Sequence, residues 1–223
     1  MIITKTPFRM SFFGGGTDME EYFRENEGAV LSTTFDKYCY VNVRHLPRFF
    51  DYSTELSYSK TERVTDINDI QHPAIREAMK MLDMREIRLT YEADLPARSG
   101  LGTSSSFAVG MLNAFYALKG KYADKKKLAD EAIYLERVLC NESGGWQDQI
   151  AASFGGFNRI NFNSDGYEVL PVIISPERKR MLNDNLLMFF TGFTRFSSDG
   201  QKANKASSSE DKSVKLKKMY SPV

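Results

Sequence analysis

The stretch Pro96-Ala-Arg-Ser-Gly-Leu-Gly-Thr-Ser-Ser-Ser106, PARSGLGTSSS, decides how the rest of the chain is read. Before it, Glu86–Glu92 alternates Ile87, Leu89 and Tyr91, the pattern of a half-buried strand. After it, Phe107, Met111, Leu112, Phe115 and Leu118 recur at helical spacing. The chain therefore runs strand, glycine loop, helix. Gly100 and Gly102 permit a sharp turn and close approach of a ligand. A helix beginning near Thr103 offers unpaired backbone N–H groups and the positive end of its dipole. Hydroxyls at 103–106 complete a surface suited to phosphate oxygens. Spacing alone leaves two readings open, a Ser/Thr-capped helix after a glycine loop and a phosphate receptor. It is not a Walker A loop, since the required lysine is missing. Nor does it satisfy the G-x-S-x-G pattern of a nucleophile elbow.

Working outward, residues 1–13 read as a strand that the Gly14-Gly15-Gly16 turn breaks, with Thr17 or Asp18 capping a short helix to about Asn26. Ala29–Phe35, Lys37–Arg44 and Leu56–Ser59 are rich in β-branched and aromatic residues and read as strands. His72-Pro73 opens a helix over Ala74–Leu82. A second long helix is expected over Lys125–Cys140, and a short one around Gln147–Ala152. Phe157–Phe162 and Glu168–Ile174 flank a turn at Asn163–Gly166. Pro176 starts another helix, and Leu186–Phe190 (LLMFF) reads as a buried strand. No internal repeat is present.

Composition narrows the classes. With 223 residues, 42% hydrophobic and 26% charged, the chain has an ordinary globular balance, enough for one large domain or one domain and part of a second. A net charge of +1 argues against a nucleic-acid binder. No apolar run reaches the roughly 18 residues of a membrane span. MIITKTPFRM lacks a signal peptide's apolar core, and Cys39 and Cys140 make no disulfide framework, so the cytoplasm is the expected compartment. Two histidines, His45 and His72, with no Cys/His cluster, give no structural zinc site. From Ser197 onward core-forming residues thin out and lysine accumulates, which fits a solvated tail or the start of another domain.

Three further clusters carry possible chemistry. Glu136 follows Ala129, Ala132 and Ile133 on the apolar stripe of its helix, where a carboxylate must be paired, protonated or metal-bound. Near a phosphate site, Mg²⁺ becomes a natural partner, because it takes carboxylate, hydroxyl and phosphate oxygens. Gly144-Gly-Trp-Gln-Asp148-Gln149 places an acid at a helix start, which serves either as a capping arrangement or as a base or metal ligand on a loop rim. Pro7-Phe-Arg9 through Gly14-Gly15-Gly16-Thr17-Asp18 is either a plain strand–turn–helix connection or a turn that hydrogen-bonds a polyol.

In this order, the four elements resemble the GHMP small-molecule kinases (galacto-, homoserine, mevalonate and phosphomevalonate kinases). Pro96–Ser105 matches the family phosphate loop P-x-x-x-G-L-[GS]-[ST]-S-[AS] at every position. The P-x-R…GGGTD opening, GGWQDQ, LSTTFDKYCYVNV and HPAIREA resemble the branch that phosphorylates sugars at the anomeric carbon, and the resemblance covers residues 1–196. It implies that backbone from Ser99, Gly100, Leu101, Gly102, Thr103, Ser104 and Ser105 cradles the ATP phosphates. Ser104 and Glu136 would hold Mg²⁺, and Asp148 would be the base, with Arg9 beside it. Gly15, Gly16, Thr17 and Asp18 would position the substrate, a sugar or sugar phosphate. The implied fold is α+β, a two-layer N-terminal domain over residues 1–180 with helices on one face of a mostly antiparallel sheet and an unusual left-handed β-α-β unit. Residues 181–223 would begin a ferredoxin-like C-terminal domain. The family's late glycine-rich motif does not occur before Val223, so the expected chain is incomplete.

Overall fold

An 18-residue strand, β2 (Gly28–His45), is the spine of the molecule. In the computed structural model, which describes residues 1–96, 99–189, 216 and 218–220, one edge of β2 is shared by two strands. β5 (Ile87–Ala93) pairs with residues 39–45 and β6 (Phe157–Asn163) with residues 28–33, both antiparallel. β1 (Ile2–Phe13) covers the other edge. β3 (Thr54–Ser57), β4 (Thr61–Val64) and β7 (Gly166–Pro171) complete a seven-stranded sheet ordered β4-β3-β5-β2-β6-β7, with β1 on β2. Among the described residues the only parallel pair is β3 with β5.

The expected strands at 29–35 and 37–44 are one strand. Between Pro7↔Tyr38 and Arg9↔Thr34 the β1–β2 register slips, so the polar pair Asp36-Lys37 lies in a bulge rather than ending the strand. A second slip follows at Ser11↔Ser32 and Phe13↔Leu31. Arg9 sits between the two irregularities, and such bulges bend a strand and re-aim its side chains.

Along β1, Thr4, Thr6 and Phe8 are buried while Ile3 and Lys5 are exposed, so one face of the sheet takes the helices. α2 (Pro73–Met81) starts on a proline at its tolerated first position and buries Ala74, Ile75, Ala78 and Met79. α3 (Thr103–Leu118) is buried almost all round, as a central helix must be. Its Met111, Leu112 and Phe115 are inaccessible to solvent, each side chain stabilising the fold by about 1.5–3 kcal/mol. A smaller core forms where Phe23, Val30, Ile133, Ile150, Ile160 and Phe162 meet. It joins α1 (Glu20–Phe23), α4 (Lys125–Ile133) and α5 (Gln147–Phe154) to β2 and β6.

Two further expectations fail. The helix expected to run to Cys140 changes pitch at Tyr134: Tyr134–Leu139 is a π-helical turn, with the Cys140 N–H bonded to Leu135 O five residues back. Leu186–Met188 and Phe189 form no strand and are exposed, Leu187 by 82% and Phe189 by 79%. No described strand lies beside this segment to satisfy its backbone, and an unpaired strand is not stable by itself. It follows α6 (Pro176–Asp184), which buries no residue. Phe190 and most of the expected second domain lie outside the described residues.

Candidate active site

The glycine loop and the first turn of α3 gather the predicted residues. Gly102 caps α3 in the left-handed region, φ +73°. A Cβ there would lie 3.3 Å from Arg9 Cγ and 3.5 Å from Asp148 Cγ, so the loop lies directly against that pair. Arg9 also fastens the loop, donating its backbone N–H to Leu101 O at 3.2 Å and Nη1 to Gly100 O at 3.2 Å. Ser99 Oγ is buried with no partner among the described residues. Ala97 and Arg98 are outside them.

Asp148 stands in the first turn of α5, where the helix dipole favours a carboxylate. Arg9 Nε and Nη2 both reach its Oδ1, at 2.7 and 2.6 Å. No described residue donates to Oδ2, and the side chain keeps 26% of its surface exposed. One oxygen is therefore fixed, and the other is without a donor among the described residues.

Glu136 is 1% exposed. Ser104 Oγ donates to its Oε1 at 2.8 Å and Ser105 Oγ to its Oε2 at 2.7 Å. Gln149 Nε2 is a third donor, also to Oε2. The nearest cation, Arg137 Nη2, is 3.9 Å away. Ser104 is exposed at the rim, whereas Thr103 and Ser105 are buried. The donor set is one carboxylate and hydroxyls, all oxygen, held by neutral partners, and it fits a hard divalent ion. No group of three His, Cys, Asp or Glu side chains comes together among the described residues, so such an ion would take its remaining ligands from phosphate and water.

The Gly14–Asp18 loop is placed differently from the rest. Gly15 and Gly16 are partly exposed, but Thr17 and Asp18 are buried. The Thr17 hydroxyl donates to Gly14 O at 2.8 Å and accepts from the Ala29 N–H at 3.1 Å. Asp18 accepts from the Gly16 N–H at 3.0 Å and the Gln147 N–H at 3.1 Å. Burial first, and then the charge of Asp148, raise the Asp18 pKa above the usual 3.8, against the pull of these N–H groups.

Sequence reasoning missed the glutamines flanking Asp148. Gln149 holds Glu136, and Gln147 Oε1 accepts from Ser11 Oγ at 2.6 Å. Their place in WQDQ, on either side of an acid at a helix start, was the available signal.

Residues 70–156 match the GHMP kinases N terminal domain, so the chain carries a GHMP kinase N-terminal domain. It is 30% identical over 228 residues to the D-glycero-alpha-D-manno-heptose 7-phosphate kinase of Campylobacter jejuni, covering 96% of this chain and 66% of that protein. Over 119 residues it is 33% identical to the L-fucokinase/L-fucose-1-P guanylyltransferase of Bacteroides fragilis, covering 49% of this chain and 12% of that protein. A D-glycero-D-manno-heptose 1-phosphate kinase structure from Bacteroides thetaiotaomicron superposes with a TM-score of 0.72 at 25% identity, over 83% of this chain and 63% of that one. The chain thus spans just under two thirds of the heptose kinases it matches.

Proposed function

We propose that the protein is an ATP- and Mg²⁺-dependent kinase that phosphorylates the anomeric hydroxyl of a sugar or sugar phosphate, with D-glycero-D-manno-heptose 7-phosphate giving the 1,7-bisphosphate. The observation that carries this reading is the meeting of two carboxylates at one helix start. Glu136 is tied to Ser104 and Ser105, and Asp148 lies against Gly102, within the same turn of α3. The likeness to a heptose 7-phosphate kinase supports the substrate, and the likeness to a fucokinase supports another sugar 1-kinase as the second reading. The cytoplasm as compartment is the expectation from composition, and surface-polysaccharide synthesis as the use of the product comes with the family resemblance.

On this reading the backbone of residues 99–105 receives the ATP phosphates at the positive end of α3. Ser104 and Glu136 are the residues that would hold Mg²⁺, which supplies charge neutralisation on those phosphates. Asp148 Oδ2 orients the attacking hydroxyl and takes up its proton. Arg9 keeps the carboxylate turned and faces the charge that builds on the transferring group. The partly exposed backbone of Gly15 and Gly16 meets the sugar, on a loop whose shape Thr17 and Asp18 maintain. Transfer is direct and in line, so positioning and electrostatics do the catalysis.

The test is an ATP-consumption screen of the full-length protein against sugars and sugar phosphates, with the phosphorylated position read by phosphorus NMR. Turnover of a 7-phosphorylated heptose with new phosphate at C1 is the expected result. Turnover of fucose alone selects the second reading. ATP and sugar binding without turnover makes the protein a sensor and overturns the kinase assignment.

A further inference from the structure

We infer that Asp18 is a positioning residue that locks the sugar loop to the segment carrying Asp148, and that it does not itself contact the sugar. This rests on the kinase reading above, in which Asp148 is the base.

Every polar atom of Asp18 that could meet a ligand is turned into the protein. The residue is 2% exposed. One carboxylate oxygen accepts from Gly16 within its own loop, at 3.0 Å. The other accepts from the N–H of Gln147, at 3.1 Å, the residue immediately before Asp148. Its backbone oxygen accepts from the Trp146 N–H, also at 3.1 Å. Two of these hydrogen bonds therefore span chain segments that are about 130 residues apart and meet only through tertiary packing, and the third shapes the loop itself. Gly145 makes the contact possible: a Cβ at that position would lie 1.9 Å from Asp18 Oδ2. Trp146 adds an apolar brace by stacking edge-on against Phe23 of α1, with ring centroids 4.8 Å apart. The loop that meets the sugar and the turn that carries the base are thus one body, set by a single buried carboxylate. A ligand of the sugar hydroxyls would need a free lone pair aimed at the cleft, and the burial of Asp18 denies it one.

The experiment separates positioning from binding by kcat against KM. In the full-length protein, Asp18→Ala should lower kcat about 100-fold, the scale of a small misplacement of reacting groups. Asp18→Asn, which keeps one acceptor, should fall between it and wild type. The KM and calorimetric Kd for the sugar should stay within about two-fold of wild type in both. Gly145→Ala is the second variant: it displaces the carboxylate without altering any charge or any sugar-facing group, and should show the same loss confined to kcat. Melting curves establish which variants are folded, and if Asp18→Ala is not, Gly145→Ala decides. A rise in sugar KM with kcat retained in the Asp18 variants, or a normal kcat in Gly145→Ala, overturns the inference. Absence of turnover in the wild-type protein is a different result, and defeats the kinase reading instead.

Discussion

Arg9 grips one oxygen of Asp148 twice, through Nε and Nη2 to Oδ1, and leaves Oδ2 open. A charge-assisted hydrogen bond to one oxygen, reinforced by the second nitrogen, anchors the carboxylate while the other oxygen has no donor among the described residues. Asp148→Asn should cut turnover by at least about 100-fold, the usual contribution of a positioned base. ATP affinity, followed by calorimetry, should change little. A near-normal rate in the Asn variant would remove Asp148 from the base role.

Glu136 offers a different readout. Glu136→Gln removes the charge but keeps the volume and one acceptor for the Ser104 and Ser105 hydroxyls. The KM for Mg·ATP should rise about tenfold, equivalent to one charge-assisted contact of about 1.5 kcal/mol. Titrating Mg²⁺ at fixed ATP checks this, and an unaltered Mg²⁺ dependence would mean that Glu136 serves the fold alone.

Gly102→Ala tests the loop. The left-handed conformation costs a non-glycine residue about 1–2 kcal/mol, and the new methyl would press on Arg9 and Asp148. Melting should fall by roughly 2–8 °C, with kcat reduced as well. A variant with unchanged melting temperature would show that the loop relaxes easily.

Acid stability should depend on two buried carboxylates remote from the site. Burial works to raise the pKa of Glu55, but the Tyr52 hydroxyl and the Arg63 and Arg88 guanidinium groups outweigh it and hold it below 4.5. Glu62 is likewise held low, against burial, by the Tyr58 hydroxyl and the Gln71 and His72 amides. A carboxylate with a depressed folded pKa stabilises above its unfolded value and loses that contribution as pH falls through the folded one. Melting temperature should therefore drop below pH 4.5, and less steeply in Glu62→Gln. Asp18, raised above 3.8, acts in the opposite sense, its contribution fading as pH rises through its folded pKa. Scanning calorimetry from pH 3 to pH 7 separates the two slopes.

Local signals were the legible ones. Strand, glycine loop and helix around Gly102 could be read because alternation, turn chemistry and helical spacing all lie within a short window. Glu136 was picked out because a lone acid on an apolar stripe is costly. Pairing at a distance could not be read from the residues alone. Arg9 and Asp148 are 139 residues apart, nothing in either neighbourhood states that they meet, and only the family resemblance set them side by side. Asp36 looked like a break between two strands because a bulge carries polar residues without stopping the ladder. LLMFF looked buried because hydrophobicity reports a preference for burial, while the partner surface must come from elsewhere.

The wide turn at Tyr134–Leu139 has a bearing on how this site tolerates change in chain length. A π turn holds roughly one residue more than an α turn over the same span. The chain leaving it is therefore rotated by about 100° from the course that α4 would have set. Ala129, Ala132 and Ile133 can stay in the core while the path onward to Gly144 and Asp148 is steered separately. That extra residue, more than its identity, is what the wide turn absorbs. Conservative substitutions at the exposed Val138 should pass nearly unnoticed, and loss of that one residue would let the turn close to α pitch over the same span and keep the following segment in place beside Arg9.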